Sequence, residues 1–527
     1  MSQTHPTMEE SIAGLQARRE ESLYPGKDGS IEKHHAKGKL TARERIDLLV
    51  DPGSFLEIGR LRRAPLRSQD GAGERRPYGD GVVTGRATID GRPVCVFSQD
   101  ATVFGGSVGQ TFAMKMVRIM ELAQQIGCPV IGLADSAGAR IQEGVTALAN
   151  YQMVGKKNVE LSGVIPQLSL IMGTCAGGAV YSPALGDFTF MVDGTSHMFL
   201  TGPEVVREVT GQETTMEELG GAEINAITGN CHHVDDNDEE SLASARRLLS
   251  FLPSNNVGMP PRFAPTMPRD FTDADYELDR FVPAEATKAY DVLGVIERVV
   301  DDGDFFEIHA KWAKSIVIGF ARIDGRSVGI IANQPIVNAG TLNIDSTEKA
   351  ARFLRTCDAF NVPIVSFVDV PGYMPGIEQE RGGAIRRGAK LFYGYADAKV
   401  PTVTVTLRKA YGGAYATMGS KHSDNDVNFA WPTAEIAVMG AQGGVKIVYG
   451  RELLAAMQKG EDVEALYNQR IADYQAEHQT PYPAAERGWV DKVIKPHETR
   501  LEIAGALELM EGRRTEAPLR AHGNIPL

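Results

Sequence analysis

Residues 82–92 read VVTGRATIDGR, and residues 316–326 read IVIGFARIDGR, so one pattern occurs twice, 234 positions apart. The Asp-Gly pair near the end of each stretch is a strong signal for a tight β-hairpin. Three further pairs of similar blocks occur in matching order: 51–58 with 301–308, 127–138 with 361–372, and 175–180 with 410–415. This spacing predicts a duplicated domain and not a solenoid, whose repeat would be much shorter.

A proline-rich segment separates the two copies. Residues 252–270, LPSNNVGMPPRFAPTMPRD, contain five prolines. Proline cannot continue a helix or a central strand, so this segment is a linker. We therefore predict a first domain of residues 1–259 and a second domain of residues 260–527. Two domains also suit a chain of 527 residues, which is too long for one ordinary core.

Each copy continues with the same alternation of strands and helices. A helical pattern follows the hairpin and leads to an apolar strand, CPVIGLAD (128–135) or VPIVSFVD (362–369). After a second helix comes another apolar strand, IPQLSLIMG (165–173) or VPTVTVTL (400–407), followed by a glycine-rich turn. Buried strands that alternate with helices indicate an α/β fold.

The composition excludes several classes of protein. The chain is 43% hydrophobic and 23% charged, which is ordinary for a globular protein, and its net charge of -13 disfavours nucleic-acid binding. Apolar runs such as GVIPQLSLIMG (163–173) are too short and too interrupted to span a membrane, and the polar N-terminus does not resemble a leader. We therefore expect a cytoplasmic protein without a membrane partner. Five scattered cysteines without a CxxC pair indicate neither a zinc ribbon nor a disulfide framework.

The pentapeptide FAMKM (112–116) contains Ala-Met-Lys-Met, the tetrapeptide around the biotinylated lysine of biotin-carrier domains. Carrier domains present that lysine at an exposed hairpin tip. Here the apolar residues recur at helical spacing, with Thr111 as the predicted N-cap and Gly127 as the predicted C-terminal residue; they are Phe112, Met116, Ile119 and Ala123. We predict that Lys115 is an unmodified helix lysine and that any biotin arrives on another protein.

Three other segments have a chemical and a plain interpretation. Cys175 is next to a glycine-rich turn, but we interpret it as a small buried side chain and not as a nucleophile. CHHVDD (231–236) lacks the partner spacing of a metal site, so we predict a solvated loop. The basic stretch 32–45 contains a capping box at Thr41 and Glu44. It is either a solvated helix entry or a site for the phosphates of a ligand, with the candidates Lys37, Lys39, Arg43 and Arg45.

Six motifs resemble the carboxyltransferase (β) subunit of biotin-dependent acyl-CoA carboxylases, of the propionyl-CoA carboxylase type. They are KGKLTARERIDLLVDPGSF (37–55), DSAGARIQEGV (135–145), CAGGAVYSPAL (175–185), VDVPGYMPG (368–376), KAYGGAYATMGSK (409–421) and AWPTAEIAVMG (430–440). The resemblance implies two duplicated crotonase-like domains of repeated ββα units, in a homo-hexamer built as a trimer of dimers. It also implies a separate α subunit that supplies biotin carboxylase and the biotinylated carrier.

The resemblance also implies the chemistry of the site. Carboxyl transfer from carboxybiotin to the α-carbon of an acyl-CoA makes two oxygens more negative, and main-chain N–H groups at a glycine-rich turn can stabilise each of them. The family places the acyl-CoA thioester at Gly177 and Gly178, and the biotin ureido group at Gly413 and Ala414. Gly412 completes the predicted biotin site, and the other predicted substrate-binding residues are Ala137, Gly138, Ala139 and Ala416. No metal site is predicted, and the base is the biotin N1 that loss of CO2 sets free.

One position departs from the family pattern. Short-chain members commonly have an aspartate after AYGGAY, where this chain has Ala416. A methyl group in place of a carboxylate leaves a wider and more apolar pocket, so we expect medium or branched acyl chains to be accepted as well as propionyl. Two other functions stay open: a carboxyltransferase component of a transcarboxylase or sodium-pumping decarboxylase, and a non-catalytic scaffold that binds coenzyme A.

Overall fold

The computed structural model describes residues 6–65, 76–513 and 522–526. The chain divides into two compact units, Met1–Gly258 and Met259–Leu527, one residue before the predicted domain boundary. Within the described residues, each unit contains one eight-stranded sheet. No helix in the described ranges is both long and apolar enough to cross a membrane.

The sheet of the first unit is mixed. Its path runs in the order β1-β2-β3-β4-β5-β6-β8, and β7 pairs with the end of β5. The pairs β1–β2 and β2–β3 are antiparallel, and all other pairs are parallel. The strands are β1 (Leu56–Glu57), β2 (Val82–Ile89), β3 (Arg92–Gln99), β4 (Val130–Ser136), β5 (Gln167–Ala176), β6 (Phe188–Val192), β7 (His197–Phe199) and β8 (His233–Asp235).

The sheet of the second unit repeats this topology strand by strand. Its path runs in the order β9-β10-β11-β12-β13-β14-β16, and β15 pairs with the end of β13 just as β7 pairs with β5. Both sheets shift register at one place, after Ala134 in β4 and after Val368 in β12. The strands are β9 (Phe306–Ile308), β10 (Ile316–Ile323), β11 (Arg326–Asn333), β12 (Ile364–Val370), β13 (Thr402–Tyr411), β14 (Val427–Ala430), β15 (Glu435–Ala437) and β16 (Lys492–Val493).

Both predicted hairpins are present. Strands β2 and β3 pair across Asp90-Gly91, and β10 and β11 pair across Asp324-Gly325. All four turn residues have positive φ, between 50° and 74°. A two-residue turn of this kind matches the twist of the two strands, which explains why Asp-Gly stands at both positions.

Helices pack against the sheets and contribute about half of the remaining described residues. The helices of the first unit are α1 (Met8–Glu21), α2 (Ser30–His35), α3 (Ala42–Leu49), α4 (Gln110–Ile126), α5 (Val145–Leu161), α6 (Tyr181–Leu185), α7 (Pro203–Thr210), α8 (Met216–Gly220), α9 (Ala222–Ile227) and α10 (Asp238–Leu249). Those of the second unit are α11 (Asp273–Phe281), α12 (Leu293–Val299), α13 (Ile344–Ala359), α14 (Ile377–Arg381), α15 (Ala384–Asp397), α16 (Gly412–Ala416), α17 (Ala441–Val448), α18 (Gly450–Lys459), α19 (Val463–His478), α20 (Tyr482–Glu486) and α21 (Thr499–Leu509).

The FAMKM segment lies in helix α4, as predicted. The predicted apolar stripe is buried, and Gly127 ends the helix with φ of 70°. The predicted N-cap is wrong, because the helix begins one residue before Thr111 and Gly109 occupies the cap position. Thr111 instead donates its hydroxyl to the carbonyl of Arg63, a long-range contact that local sequence does not reveal.

Lys115 is a buried structural side chain, with 2% of its surface exposed. Its Nζ donates to the carbonyl of Gly79 at 3.0 Å and to the carbonyl of Val82. The second unit has an equivalent buried lysine, Lys349, 234 positions later. Its Nζ donates to three main-chain carbonyls, those of His309, Trp312 and Ile316. The duplication therefore includes a buried lysine that joins each helix to the start of its hairpin.

The segment CHHVDD is not the solvated loop that the sequence predicted. His233–Asp235 forms strand β8, which pairs with Phe190–Val192 of β6. His232 accepts the main-chain N–H of Thr189 at Nδ1. A three-residue edge strand carries too little periodicity to be recognised from sequence. In the described parts of the chain, no group of three His, Cys, Asp or Glu side chains could hold a metal ion.

Candidate active site

The first glycine-rich turn follows the last residue of β5. Gly177–Val180 forms a single 3-10 turn that leads into α6. Gly177 has φ of 63°, and a methyl group on Gly178 would lie 2.8 Å from the ring of Tyr151. Glycine is therefore required at both positions for steric reasons. The first N–H groups of a helical turn have no acceptor within it, so this turn can donate to an anionic oxygen.

The loop after β4 lies against the same turn. A methyl group on Gly138, where φ is 98°, would lie 3.0 Å from the carbonyl oxygen of Ala176. The N–H of Ala137 already donates to the carbonyl of Gly105, and the N–H of Gly138 donates to the hydroxyl of Ser136. Three residues of this loop are predicted to bind substrate. Among the described contacts, only the N–H of Ala139 makes no main-chain or side-chain hydrogen bond, so only it is available to a ligand.

The second glycine-rich turn follows β13 in the same way. Helix α16 begins at Gly412, which has φ of 58°. A methyl group on Gly412 would be 2.9 Å from the carbonyl oxygen of Val438, the residue that follows β15. Gly413 is exposed, and a methyl group there would meet no atom within 4 Å. Ala414 is buried, with 1% exposed. The turn thus presents an open main-chain surface at Gly413, where a ligand can approach closely.

Ala416 is half-buried at the end of α16. The adjacent Thr417 hydroxyl is 3.0 Å from the hydroxyl of Tyr373, which belongs to the loop after β12. This loop corresponds to Ala137–Ala139 of the first unit, since Leu342 and Tyr373 form the same isolated bridge as Val108 and Ala139. In both units, therefore, the loop after the fourth strand and the turn after the fifth strand meet at one end of the sheet.

Two buried carboxylates stand at this end of the sheets, and the functional interpretation of the sequence missed them. Asp135 at the end of β4 pairs with Arg45 Nη1 at 3.2 Å and with Lys39. Asp369 at the end of β12, 234 positions later, pairs with Arg408 Nε at 2.9 Å and with Lys409. Both aspartates occur in the matched blocks 127–138 and 361–372, so the duplication itself was the signal that could have revealed them.

Cys175 is a buried side chain, as predicted, with 0% exposed. Burial raises the pKa of its thiol to about 12, so the thiol stays protonated near neutral pH. A protonated and enclosed thiol is a poor nucleophile.

The structure separates the four basic candidates near the N-terminus. Arg45 is fully buried and also pairs with Asp238, while Arg43 makes a two-pronged contact with Glu57. The predicted capping box at the start of α3 is confirmed. Lys37 is exposed and lines a cleft of about 330 Å³ beside the first turn. Other residues that line this cleft are Lys33, His34, Lys39, Gly105, Asp135, Ala137 and Thr174.

Lys39 faces the same cleft but also pairs with Asp135. Burial lowers the pKa of Lys39, and Asp135 opposes that shift. Burial likewise lowers the pKa of His34, whose Nε2–H donates to the carbonyl of Leu40 at 3.1 Å. Lys33 and Lys37 are thus the exposed cations of this cleft, and Arg43 and Arg45 have structural roles.

Two duplicated sheets, each with a glycine turn that offers main-chain donors at one end, define a carboxyltransferase of the crotonase-like fold. A family model described as the carboxyl transferase domain matches residues 33–525. The propionyl-CoA carboxylase beta chain of Saccharopolyspora erythraea is 54% identical over 524 residues, which cover 98% of this chain and 96% of that protein. The acetyl-/propionyl-coenzyme A carboxylase beta5 subunit of Mycobacterium tuberculosis is 55% identical over 523 residues, 98% of this chain and 95% of its own.

The solved structures agree in fold. The crystal structure of transcarboxylase 12S with methylmalonyl-coenzyme A and methylmalonic acid superposes with a TM-score of 0.95 at 47% identity, over 100% of both chains. This chain belongs to the carboxyl transferase family. It is the carboxyltransferase subunit of a biotin-dependent acyl-CoA carboxylase, as the sequence motifs predicted.

Proposed function

We propose that the two turns divide the reaction between them. The turn at Gly177–Gly178 binds the thioester oxygen of the acyl-CoA, and the turn at Gly413–Ala414 binds the ureido oxygen of carboxybiotin. The observation that carries this proposal is the repetition of one strand, turn and helix at the same place in both units, with positive φ at Gly177 and at Gly412. Negative charge grows on both oxygens during transfer, so donors fixed by the fold lower the barrier.

The chain itself positions the reactants. The α-proton leaves the acyl-CoA as an enolate forms, and the carboxyl group passes from the ureido nitrogen of biotin to the α-carbon. The buried, protonated Cys175 takes no part, and the nitrogen freed by carboxyl loss accepts the proton. The turns therefore act by orienting ligands and by stabilising charge, and correct orientation alone lowers a barrier by several kcal/mol.

We place the phosphates of coenzyme A in the cleft beside the first turn. The supporting observations are the two exposed lysines, Lys33 and Lys37, and the presence of Ala137 and Thr174 in the same lining. An ammonium group attracts phosphate as a point charge without demanding one fixed geometry. Replacing Lys37 should therefore raise KM for the acyl-CoA more than it lowers kcat.

We infer that Ala416 widens the acyl pocket beyond propionyl. Each additional buried methylene contributes about 0.8 kcal/mol, so longer acyl chains gain binding where the pocket admits them. We expect comparable kcat/KM values for propionyl-CoA and hexanoyl-CoA, and Ala416→Asp should reduce the hexanoyl-CoA value by about tenfold or more relative to propionyl-CoA. A steep fall with chain length in the unsubstituted enzyme would contradict this inference.

We also propose the assembly and location of the enzyme. A biotin carboxylase and biotin-carrier α subunit supplies the carboxyl group, since similar proteins are named as beta subunits of biotin-dependent carboxylases. A homo-hexamer, a trimer of dimers, is supported by the crystal structure of transcarboxylase 12S, which is a hexamer assembly. A cytoplasmic location fits the five free thiols in the described residues.

A transcarboxylase component was the alternative that the sequence left open, and transcarboxylase 12S shares the fold of this chain. The carboxylase beta chains are more similar in sequence, at 54% and 55% against 47%, which agrees with the assignment to a carboxylase. The deciding assay gives the chain methylmalonyl-CoA and free biotin, and then a biotinylated α subunit with propionyl-CoA, bicarbonate and MgATP. Carboxylation of propionyl-CoA that requires the α subunit supports the carboxylase, whereas no transfer in either assay would support the non-catalytic scaffold.

A further inference from the structure

The residue before the second turn differs from its counterpart before the first. Tyr411 ends β13, and its hydroxyl donates to the carboxylate of Glu435 in β15. Gln479, which is 6% exposed at the end of α19, donates its side-chain amide to the same hydroxyl at 2.8 Å. The corresponding residue of the first unit is Ala176, which has no hydroxyl to offer.

The tyrosine ring links further elements to the turn. A methyl group on Gly440, the N-cap of α17, would lie 3.4 Å from the Tyr411 ring. Tyr411 also pairs in parallel register with Ala437 at the end of β15. One side chain therefore contacts β15, the start of α17 and the end of α19, while its main chain leads directly into Gly412.

The main-chain geometry beside the turn differs accordingly. A methyl group on Gly412 would lie 2.9 Å from the carbonyl oxygen of Val438. A methyl group on Gly177 would lie 4.0 Å from the carbonyl oxygen of Leu200, the corresponding neighbour. The residue that follows β15 thus lies closer to its turn than the residue that follows β7 does to the first turn. Burial and the neighbouring Glu435 raise the pKa of Tyr411, so its hydroxyl remains a proton donor at physiological pH.

We propose that Tyr411, held by Glu435 and Gln479, is a positioning residue that fixes the second turn for the biotin half of the reaction. The hydroxyl sets the spacing between β15 and β13, and this spacing holds Gly412 in its left-handed conformation and aims the main-chain donors of Gly413 and Ala414. The inference rests on the proposed assignment of the second turn to biotin. Because Ala176 gives the first turn no such network among the residues that the structure describes, loss of the Tyr411 hydroxyl should not change acyl-CoA binding.

The test is Tyr411→Phe in the full chain, assayed for transfer from methylmalonyl-CoA to free biotin. Misaiming one donor should lower kcat/KM for biotin by roughly 10- to 100-fold, while KM for methylmalonyl-CoA stays within about twofold. Glu435→Gln keeps an acceptor for the hydroxyl and should retain most activity, and Glu435→Ala should resemble Tyr411→Phe. Tyr467→Phe is the matched control, because its hydroxyl donates to the carbonyl of Gln442 on the surface of the same unit.

The possible outcomes are distinct. Wild-type biotin kinetics in Tyr411→Phe would overturn the inference and leave the proposed function intact. An equal loss toward both substrates, or a Glu435→Gln variant as impaired as Glu435→Ala, would also overturn it, because a general structural role would then suffice. If the unsubstituted chain transfers no carboxyl group to biotin, the assignment of the second turn fails, and this inference fails with it.

Discussion

The turn after β5 and the turn after β13 occupy the same place in their units, yet the surrounding structure holds them differently. In the first turn there is space beside Gly177, and Gly178 packs on the ring of Tyr151. In the second turn Gly412 lies close to the carbonyl of Val438, the residue after β15, and there is space beside Gly413. The close contact is thus at the second glycine of the first turn and at the first glycine of the second turn. The strand order is the same in both units, while the packing around each turn differs, as we expect if the two turns bind different ligands as proposed.

The buried carboxylates give the largest expected difference between the units. Asp369→Asn leaves the guanidinium of Arg408 buried without a carboxylate among the described residues, whereas Asp135→Asn leaves Arg45 paired with Asp238. Breaking a buried ion pair costs about 3–5 kcal/mol, so Asp369→Asn should lower the free energy of unfolding by that amount and Asp135→Asn by less. Urea titration checks this order, with the exposed Asp236→Asn as the control.

The glycines with positive φ give the next effect, which is measured in kcat. Gly412→Ala adds both left-handed strain and a contact of 2.9 Å with Val438, while Gly177→Ala adds the strain alone. We expect a loss of roughly 100-fold or more in kcat for Gly412→Ala and a smaller loss for Gly177→Ala. Gly460→Ala isolates the strain, since φ there is 75° and a methyl group meets nothing within 4 Å. Equal losses of kcat in Gly412→Ala and Gly177→Ala would contradict this prediction, because the closer contact with Val438 would then have no effect on catalysis.

The buried lysines give the smallest effect, a dependence of stability on pH. Burial lowers the pKa of Lys349 to about 7 and that of Lys115 to about 8, from the ordinary 10.5. Between each folded pKa and 10.5 the unfolded chain binds more protons, so each lysine makes the free energy of unfolding rise with pH, by up to about 1.4 kcal/mol per pH unit. At pH values below its pKa in the folded chain, neither lysine makes the free energy of unfolding depend on pH.

Lys349→Met should therefore reduce the rise of the free energy of unfolding with pH from about pH 7 upward. Lys115→Met should reduce that rise only from about pH 8 upward. Unfolding midpoints in urea at pH 7, 8 and 9 measure both slopes. The exposed Lys459→Met provides the control and should leave the slope unchanged. Parallel pH profiles for the wild type and both lysine variants would refute the prediction.

The repeated blocks were enough to predict the duplicated α/β fold, because hairpin turns and apolar strands depend on local residues. Asp90-Gly91 and Asp324-Gly325 form the predicted turns for that reason. Local pattern failed where a distant contact decided the outcome. Thr111 is inside α4 and bonded to Arg63, and a histidine-rich segment forms the edge strand β8. The motifs alone did not distinguish the exposed Lys37 from the buried Arg45.

The sequence by itself determined the family, the two copies and the position of both glycine turns, since each follows from residues close together in the chain. Only the tertiary structure decided how the turns are supported. Asp135 reaches Arg45, and Tyr411 reaches Gln479, across 90 and 68 positions of the chain. Burial and hydrogen bonding at such distances depend on how the strands and helices pack, so they exist only once the chain has folded.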